Sequence, residues 1–373
     1  MKLVILAPVH IYDDIRVFKK EALSARKHFN TVVLYARTPE DTELVDHGVL
    51  VKPVKYKNRF QRMIKLFPLF FCALKERADI YHLHNPDTIP LVFALKFCGK
   101  KVVYDTHEDF LYHIMLRDWI PFPIRAIVSK LIGLSELLVS NVSDSFIVTQ
   151  IEQAFRFKKS HLISNAPVFK DYGYPQKTHK KTLRLVYVGG ICEPRGLTLM
   201  LDLLVRLNNV METSLTLIGF LTNGQTLEGC QLHTGWKHVE YLGTLEQSEA
   251  FKHVAESDFG LILWRDVADH KHVSPNKIFE YMMMGTPFIA TDFESWRNHL
   301  QGVDVGYFCD PENISDAIIE EITHLKNDEK QYLEMSQRAI DYIKYEYNWV
   351  QIEEPRLLDI YSKIVHSACN ITG

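Results

Sequence analysis

The feature that most constrains the fold is an alternation carried along almost the whole chain: a short apolar run, a polar loop, then a stretch of helical periodicity. Leu3–Ala7, Thr31–Tyr35, Val49–Val54, Asp79–Leu83 and Lys101–Tyr104 make a first series of such runs. Leu183–Val188, Ser214–Ile218, His238–Leu242, Ser257–Leu263 and Phe288–Ala290 make a second. Strands that are apolar throughout, each leading into a helix, require a parallel sheet covered on both faces. With 373 residues the chain is too long for one core, so two α/β domains are expected. They are placed at 1–168 and 183–346, with a linker at 169–182 and a last helical segment at 347–373. The linker contains Gly173 and Pro175 and has no periodicity.

Composition narrows the function classes. A net charge of -3 carries no nucleic-acid footprint. The six cysteines are scattered singly, which suits a reducing compartment and argues against a disulfide framework or a zinc–thiolate site. Met1-Lys2 runs directly into an apolar strand, not an export sequence, and no apolar run reaches membrane-span length. The expected location is the cytoplasm. From Lys52 to Lys65 there are basic residues and no acidic one, and Leu66–Phe71 that follows is apolar and aromatic. The segment 52–71 therefore offers a peripheral contact with an anionic membrane surface, on the inner face if the protein is cytoplasmic, as an alternative to a solvated helix face.

The most informative stretch is Ser274–Thr291. Ser274 and Pro275 suit a helix start, Gly285 and Pro287 a helix stop, and Phe288–Ala290 a buried strand. Asn276, Lys277 and Glu280 fall on one helix face. A helix N-terminus with a lysine favours phosphate, and a carboxylate accepts hydrogen bonds from ribose hydroxyls. Gly189-Gly190 with Arg195, between a strand and a helix, suits close approach of a pyrophosphate. Two further polar clusters, at His84–Asp87 and Asp105–Asp109, follow strands of the first series, where ligands bind in open α/β sheets.

The run Pro-Asn-Lys-Ile-Phe-Glu-Tyr-Met-Met-Met-Gly-Thr-Pro-Phe-Ile-Ala resembles the nucleotide-sugar site of the retaining, family-four "group 1" glycosyltransferases. Asp14–Ala22, Tyr104–Asp109, Val188–Gly196 and Asp292–Arg297 are similar to the capsule and O-antigen subgroup. The resemblance implies two Rossmann-like domains facing across a cleft, the GT-B fold, with the C-terminal helix crossing back to the first. It implies donor contacts from Gly189, Gly190, Arg195, Tyr241, Ser274, Asn276, Lys277 and Glu280, and a catalytic part for His107, Arg195 and Lys277. His10, Asp14, Arg16 and His84 would lie on the acceptor side. Arg16 has two readings, one beside the leaving phosphate and one paired to carboxylates within its helix.

Three departures stand out. Gly190 replaces an arginine of the wider family, and Asn85 and Asp87 depart from the subgroup's His-Asp-Pro-Glu run. His272 stands eight residues before Glu280, where the family often has an acid; Asp266 and Asp269 are the nearby substitutes. No Asp-x-Asp triplet is present, so the donor diphosphate is expected to be held without a metal, and no cofactor is expected. A metal pair at His82 and His84 lacks a visible third ligand, and His270 with His272 is no better placed. The expected activity is transfer from a nucleotide diphosphate sugar to a saccharide or lipid-linked saccharide, in surface polysaccharide or glycan biosynthesis. The rivals are a non-hydrolysing nucleotide-sugar epimerase and an inactive homologue acting as a binding partner.

Overall fold

The computed structural model describes every residue except 108, 115–119, 158, 171, 174–180, 223, 268–269, 274–275, 301 and 370–373. The chain divides into two compact units, one of Met1–Asn165 with Trp349–Gly373, the other of Ala166–Asn348. Much of the 169–182 linker segment lies outside the described residues.

The first unit is built on an eight-stranded sheet, ordered β3-β4-β2-β1-β5-β6-β7-β8. Its strands are β1 Lys2–Ile11, β2 Thr31–Arg37, β3 Leu44–Asp46, β4 Val49–Pro53, β5 Ile80–His84, β6 Val102–Thr106, β7 Ser145–Val148 and β8 Ser160–Leu162. All pairings are parallel except the β3–β4 edge. The three short strands β3, β7 and β8 escape the sequence reading because their apolar content is too brief to show a period. Register is set by residues buried on both faces: Leu3 pairs with Val32 on one side and Ile80 on the other.

One face of this sheet packs against the helix that starts at Ile15 and against the C-terminal helix Glu354–Cys369. The other face packs against helices Arg59–Lys75, Ile89–Phe97 and Phe122–Val142. A polar relay helps dock the C-terminal segment: Trp349 Nε1 donates to Ser24 Oγ at 2.9 Å, and Ser24 donates to Glu354 at 2.7 Å. The helix expected over Ile15–His28 is shorter and differently wound. Its opening turns, Ile15–Ala22, are π-wound, with Lys19 N bonded to Asp14 O, and Leu23–Ala25 continues in the α form. Six of those first eight residues are buried, including Arg16, Lys20 and Glu21.

The second unit has a six-stranded, all-parallel sheet in the order β11-β10-β9-β12-β13-β14. Its strands are β9 Leu183–Val188, β10 Thr213–Ile218, β11 Val239–Gly243, β12 Phe259–Ile262, β13 Phe288–Thr291 and β14 Gly306–Cys309. Helices Leu197–Asn208 and Asp316–Asn327 cover one face, and Gln247–Glu256 with Asn276–Met283 cover the other. Tyr281 is fully buried and ties the Asn276–Met283 helix to the sheet, its hydroxyl accepting from Val188 N at 3.1 Å.

Candidate active site

In a doubly wound sheet the chain runs outward in opposite directions from two adjacent strands, and the loops leaving their carboxyl ends part to form a crevice. In the second unit those strands are β9 and β12. The loop after β9 carries Gly189, Gly190 and Arg195; the loop after β12 leads through Trp264 to the helix bearing Lys277 and Glu280. Every donor-side residue named from the sequence, apart from Tyr241 on β11 and the undescribed Ser274, comes from these two segments.

The Arg195 guanidinium lies over the Trp264 ring, 5.3 Å from its centroid. It also borders the glycine turn: a Cβ at Gly190 would stand 3.0 Å from Arg195 Nη1. The arginine side chain thus fills the space that a side chain at position 190 would need. Among the described residues Arg195 has no carboxylate partner, whereas its neighbour Arg265 is bound by Glu193 and Glu312. An unneutralised guanidinium at a strand-end glycine turn is suited to an anion. Tyr187 braces the turn by donating to Gly190 O at 2.9 Å, and burial pushes its phenol up to about 12. Gly219 is obligatory, since a Cβ there would come within 1.8 Å of Gly189 O.

On the helix, Lys277 Nζ and Glu280 Oε2 are 2.6 Å apart and both half-buried, as their shared face requires. Asn276 is exposed beside them. Ser274 and Pro275 lie outside the described residues, as does Asp269. Asp266, the other substitute for the missing acid at His272, is exposed and paired with Lys271 at 3.2 Å. Tyr241 bonds Gly219 O at 3.2 Å through its hydroxyl, so its backbone borders the neighbouring strand end.

In the first unit the chain diverges between β1 and β5. A cavity of about 410 Å³ opens there, with His10, Asn85 and His107 on its polar side and Phe110, Ile120 and Ile132 on its apolar side. Arg62 and Asp87, paired at 2.9 Å, also line it. Asn85 Nδ2 donates to His10 Nε2 at 2.8 Å, which leaves the His10 proton on Nδ1 for Asp14 Oδ2 at 3.0 Å. Burial opposes the Asp14 charge, but the hydrogen bond from His10 and the backbone hydrogen bond from Val17 outweigh it and hold the carboxyl below its usual range. Asp14 also caps the following helix by accepting from Arg16 N and Val17 N. The His107 ring lies tilted against that of His10, 5.0 Å between centroids, with its Nδ1 3.7 Å from Asp105 Oδ1.

Two acceptor-side expectations fail. Arg16 is not presented to a phosphate: it is 4% exposed, with Nε 2.9 Å from Glu21 and Nη2 2.7 Å from Asp105. Neither partner is at the helical spacing envisaged for the other reading. Asp105 comes from the adjacent strand, and Glu21 is five residues on, where π-winding aligns it. His84 is also withdrawn, with no exposed surface and Nε2 3.1 Å from Glu21. Its ring lies 6.3 and 6.0 Å from those of His10 and His107, which line the cavity while His84 does not. Burial pushes His82 down to about 4 and His84 down to about 3, so both imidazoles are neutral. Glu21 is raised by burial and by the charge of Asp105. Glu21 was missed from sequence, and Asp105 was read only as part of a strand-end cluster. The one available signal was a carboxylate inside an otherwise buried helix face.

The comparisons agree with this geometry. Residues 182–328 match the family described as "Glycosyl transferases group 1". The fold of the whole chain is that of the GT-B glycosyltransferases. Most of the second unit is therefore similar in sequence to that family. No curated protein matches the sequence significantly. Among solved structures it is similar to sucrose-phosphate synthase from Thermosynechococcus elongatus, with TM-score 0.71, 15% identity, and 98% and 99% of the two chains covered. HepE from Anabaena, solved with UDP, gives TM-score 0.67 at 12% identity over 97% of this chain and 100% of that one. WaaG, a glycosyltransferase involved in lipopolysaccharide biosynthesis, gives TM-score 0.66 at 13% identity over 96% and 99%.

Proposed function

We propose that the protein is a retaining glycosyltransferase that takes a sugar from a nucleotide diphosphate sugar without a metal at the diphosphate. The observation that carries this reading is that Arg195, on the glycine turn after β9 and without a carboxylate partner among the described residues, and the Lys277–Glu280 pair, on the helix after β12, both follow the carboxyl ends of the two strands where the sheet diverges. Glu280 accepts the ribose hydroxyls, and Arg195, Lys277 and the backbone of Gly189–Gly190 hold the diphosphate. Charge grows on the diphosphate as the bond from the anomeric carbon to phosphate oxygen breaks, so donors already aimed there lower the barrier. The acceptor oxygen attacks the same face, and its proton passes to the departing phosphate oxygen. His107 and His10 orient sugar and acceptor. HepE has been solved with UDP-glucose, which supports a uridine nucleotide as the first to try.

The acceptor pocket in the first unit is polar at His10 and apolar toward Ile132, which favours a lipid-linked saccharide. Helices Arg59–Lys75, Ile89–Phe97 and Phe122–Val142 also turn large side chains outward, including Phe67, 71% exposed, Phe97, 95%, and Leu131, 60%. Their one acidic residue, Glu136, is buried. Apolar outer faces with only basic charge fit an anionic bilayer surface. No helix among the described residues is long and apolar enough to cross a membrane. The continuous basic run expected from Lys52 to Lys65 is divided, since Lys52 ends a strand and is paired with Glu76.

Calorimetric titration with UDP, GDP and ADP, with and without magnesium, tests the donor site. One nucleotide binding equally in both conditions is expected, and no binding to any of them would leave only a scaffold role. Incubation with donor sugar nucleotide separates transfer, which releases nucleotide only with acceptor, from epimerisation, which needs none. The anomeric configuration of the product, read by NMR, tests retention. Sedimentation with anionic and neutral vesicles tests the bilayer contact, which Phe67→Asp combined with Leu131→Asp is expected to abolish.

A further inference from the structure

Behind the wall of the first-unit pocket lies a polar knot that the proposed transfer reaction does not use. Glu21 comes from the helix after β1, His82 and His84 from β5, and Asp105 from β6; all four side chains have 0% exposure. Arg16 lies against Glu21 Oε1 and Asp105 Oδ2, and Tyr361 hydroxyl bonds His82 Nδ1 at 2.7 Å. Among the described residues, Glu21 Oε2, His82 Nε2, both nitrogens of His84 and Asp105 Oδ1 have no hydrogen-bond partner. A buried polar atom left unbonded costs about 1–3 kcal/mol, and native interiors hold few of them. Several concentrated in one place call for a shared partner.

We propose that Glu21, His82, His84 and Asp105 bind one divalent transition-metal ion of the zinc class. One donor atom from each residue lies within 4.8 Å of the other three. His84 Nε2 and Glu21 Oε2 are 3.1 Å apart, and His82 Nε2 and Asp105 Oδ2 are 4.0 Å apart. Tetrahedral bonds of ~2.0–2.1 Å place donors about 3.3 Å from one another, so closure around an ion needs shifts of less than an ångström along these two edges. Two imidazoles with two carboxylates suit zinc or its neighbours, and offer too few oxygens for calcium or magnesium. The imidazoles are neutral, the form in which histidine binds a metal. Tyr361 holds the far nitrogen of His82, as an orienting partner of a ligand does.

The sequence reading set aside His82 and His84 for want of a third ligand; the fold brings two, from elements far apart in the chain. The ion would be separate from the donor diphosphate. It would pin the Ile15–Ala22 helix to β5 and β6 directly behind His107, through Asp105. The competing occupant is a proton on Glu21.

The full chain, made without a polyhistidine tag in zinc-supplemented medium and washed with chelator, is denatured in acid and its metal counted. About one zinc per chain is expected. His84→Gln and His82→Gln should each lose at least tenfold in occupancy, while His233→Gln, away from the knot, keeps it. Protein grown in cobalt should show the strong visible absorption of a four-coordinate ion. Less than about a tenth of an equivalent of zinc, with the same melting temperature after refolding with zinc or chelator, would overturn the proposal and leave the proton as occupant. If the histidine variants do not fold, the wild-type stoichiometry and cobalt spectrum decide alone.

Discussion

Replacing Glu280 by Gln separates a nucleotide site from an ordinary surface pair. Lys277 and Glu280 are 2.6 Å apart, with side chains 32% and 21% exposed, so both are partly hydrated. Ion pairs of that exposure contribute about 0–1 kcal/mol to stability, and the shape-preserving glutamine should shift the melting temperature by no more than a few degrees. Binding is a different matter. A carboxylate accepting a ribose hydroxyl makes a charge-assisted bond, and weakening it to a neutral amide forfeits about 1–1.5 kcal/mol. Nucleotide affinity should therefore fall by about 5- to 10-fold. Lys277→Met removes the same pair from the other end, and should weaken binding of the diphosphate more than that of the nucleoside. Calorimetry with UDP and uridine, beside thermal melts of all three proteins, reads both effects. Wild-type UDP affinity in Glu280→Gln, with an unaltered melt, would mean that Glu280 does not face the nucleotide.

Three other outcomes follow from separate parts of the molecule. Arg195→Ala should cost 10²- to 10³-fold in kcat/KM by removing a preorganised donor from the leaving group, while the melt changes little because no ion pair is lost; turnover within threefold of wild type would contradict this. Glu136, buried and bonded to Thr106 at 2.7 Å, has its carboxyl pushed up to about 7 from 4.5, chiefly by burial. Its contribution is most favourable below the unfolded value and is lost as pH rises through the folded one, so Glu136→Gln should stabilise the protein by up to about 3 kcal/mol at pH 8 and little at pH 4.5. Urea unfolding at the two pH values tests it, and a pH-independent difference would refute it. Ser24→Ala leaves Trp349 Nε1 and Glu354 each short of a buried partner and should cost about 1–3 kcal/mol in urea unfolding; a loss below about 0.5 kcal/mol would mean that the relay does not hold the C-terminal segment.

How much of this was legible depended on whether the relevant physics was local. The two parallel sheets follow from runs such as Leu183–Val188, which are buried on both faces and so show their length directly in the sequence. The grouping of the candidate donor residues was legible because helix spacing alone sets Lys277 beside Glu280, and because Gly189, Gly190 and Arg195 follow one strand directly. Strands β3, β7 and β8 were not, being three or four residues long, and β7 is defined by pairing with β6 across a whole intervening helical segment. Arg16 was ambiguous for a related reason. Its partner Asp105 is 89 residues away, and its other partner, Glu21, meets it only because the opening turns are π-wound.

The contrast between Arg16 and Arg195 carries the division of labour between the units. Each arginine follows the first strand of its sheet pattern, and sequence alone treats both as candidates for phosphate. Arg16 is desolvated, yet two carboxylates hold it charged above its ordinary range, so its charge is already compensated and turned inward. Arg195 rests on the face of Trp264 beside a glycine turn, without a carboxylate among the described residues. Bringing an anion to Arg16 would mean breaking buried ion pairs, at a cost of about 3–5 kcal/mol for each partner stranded. Bringing one to Arg195 breaks none. In the proposed transfer, electrostatics assigns the diphosphate to the second unit and leaves His10 and His107 of the first to act on the hydroxyls of sugar and acceptor.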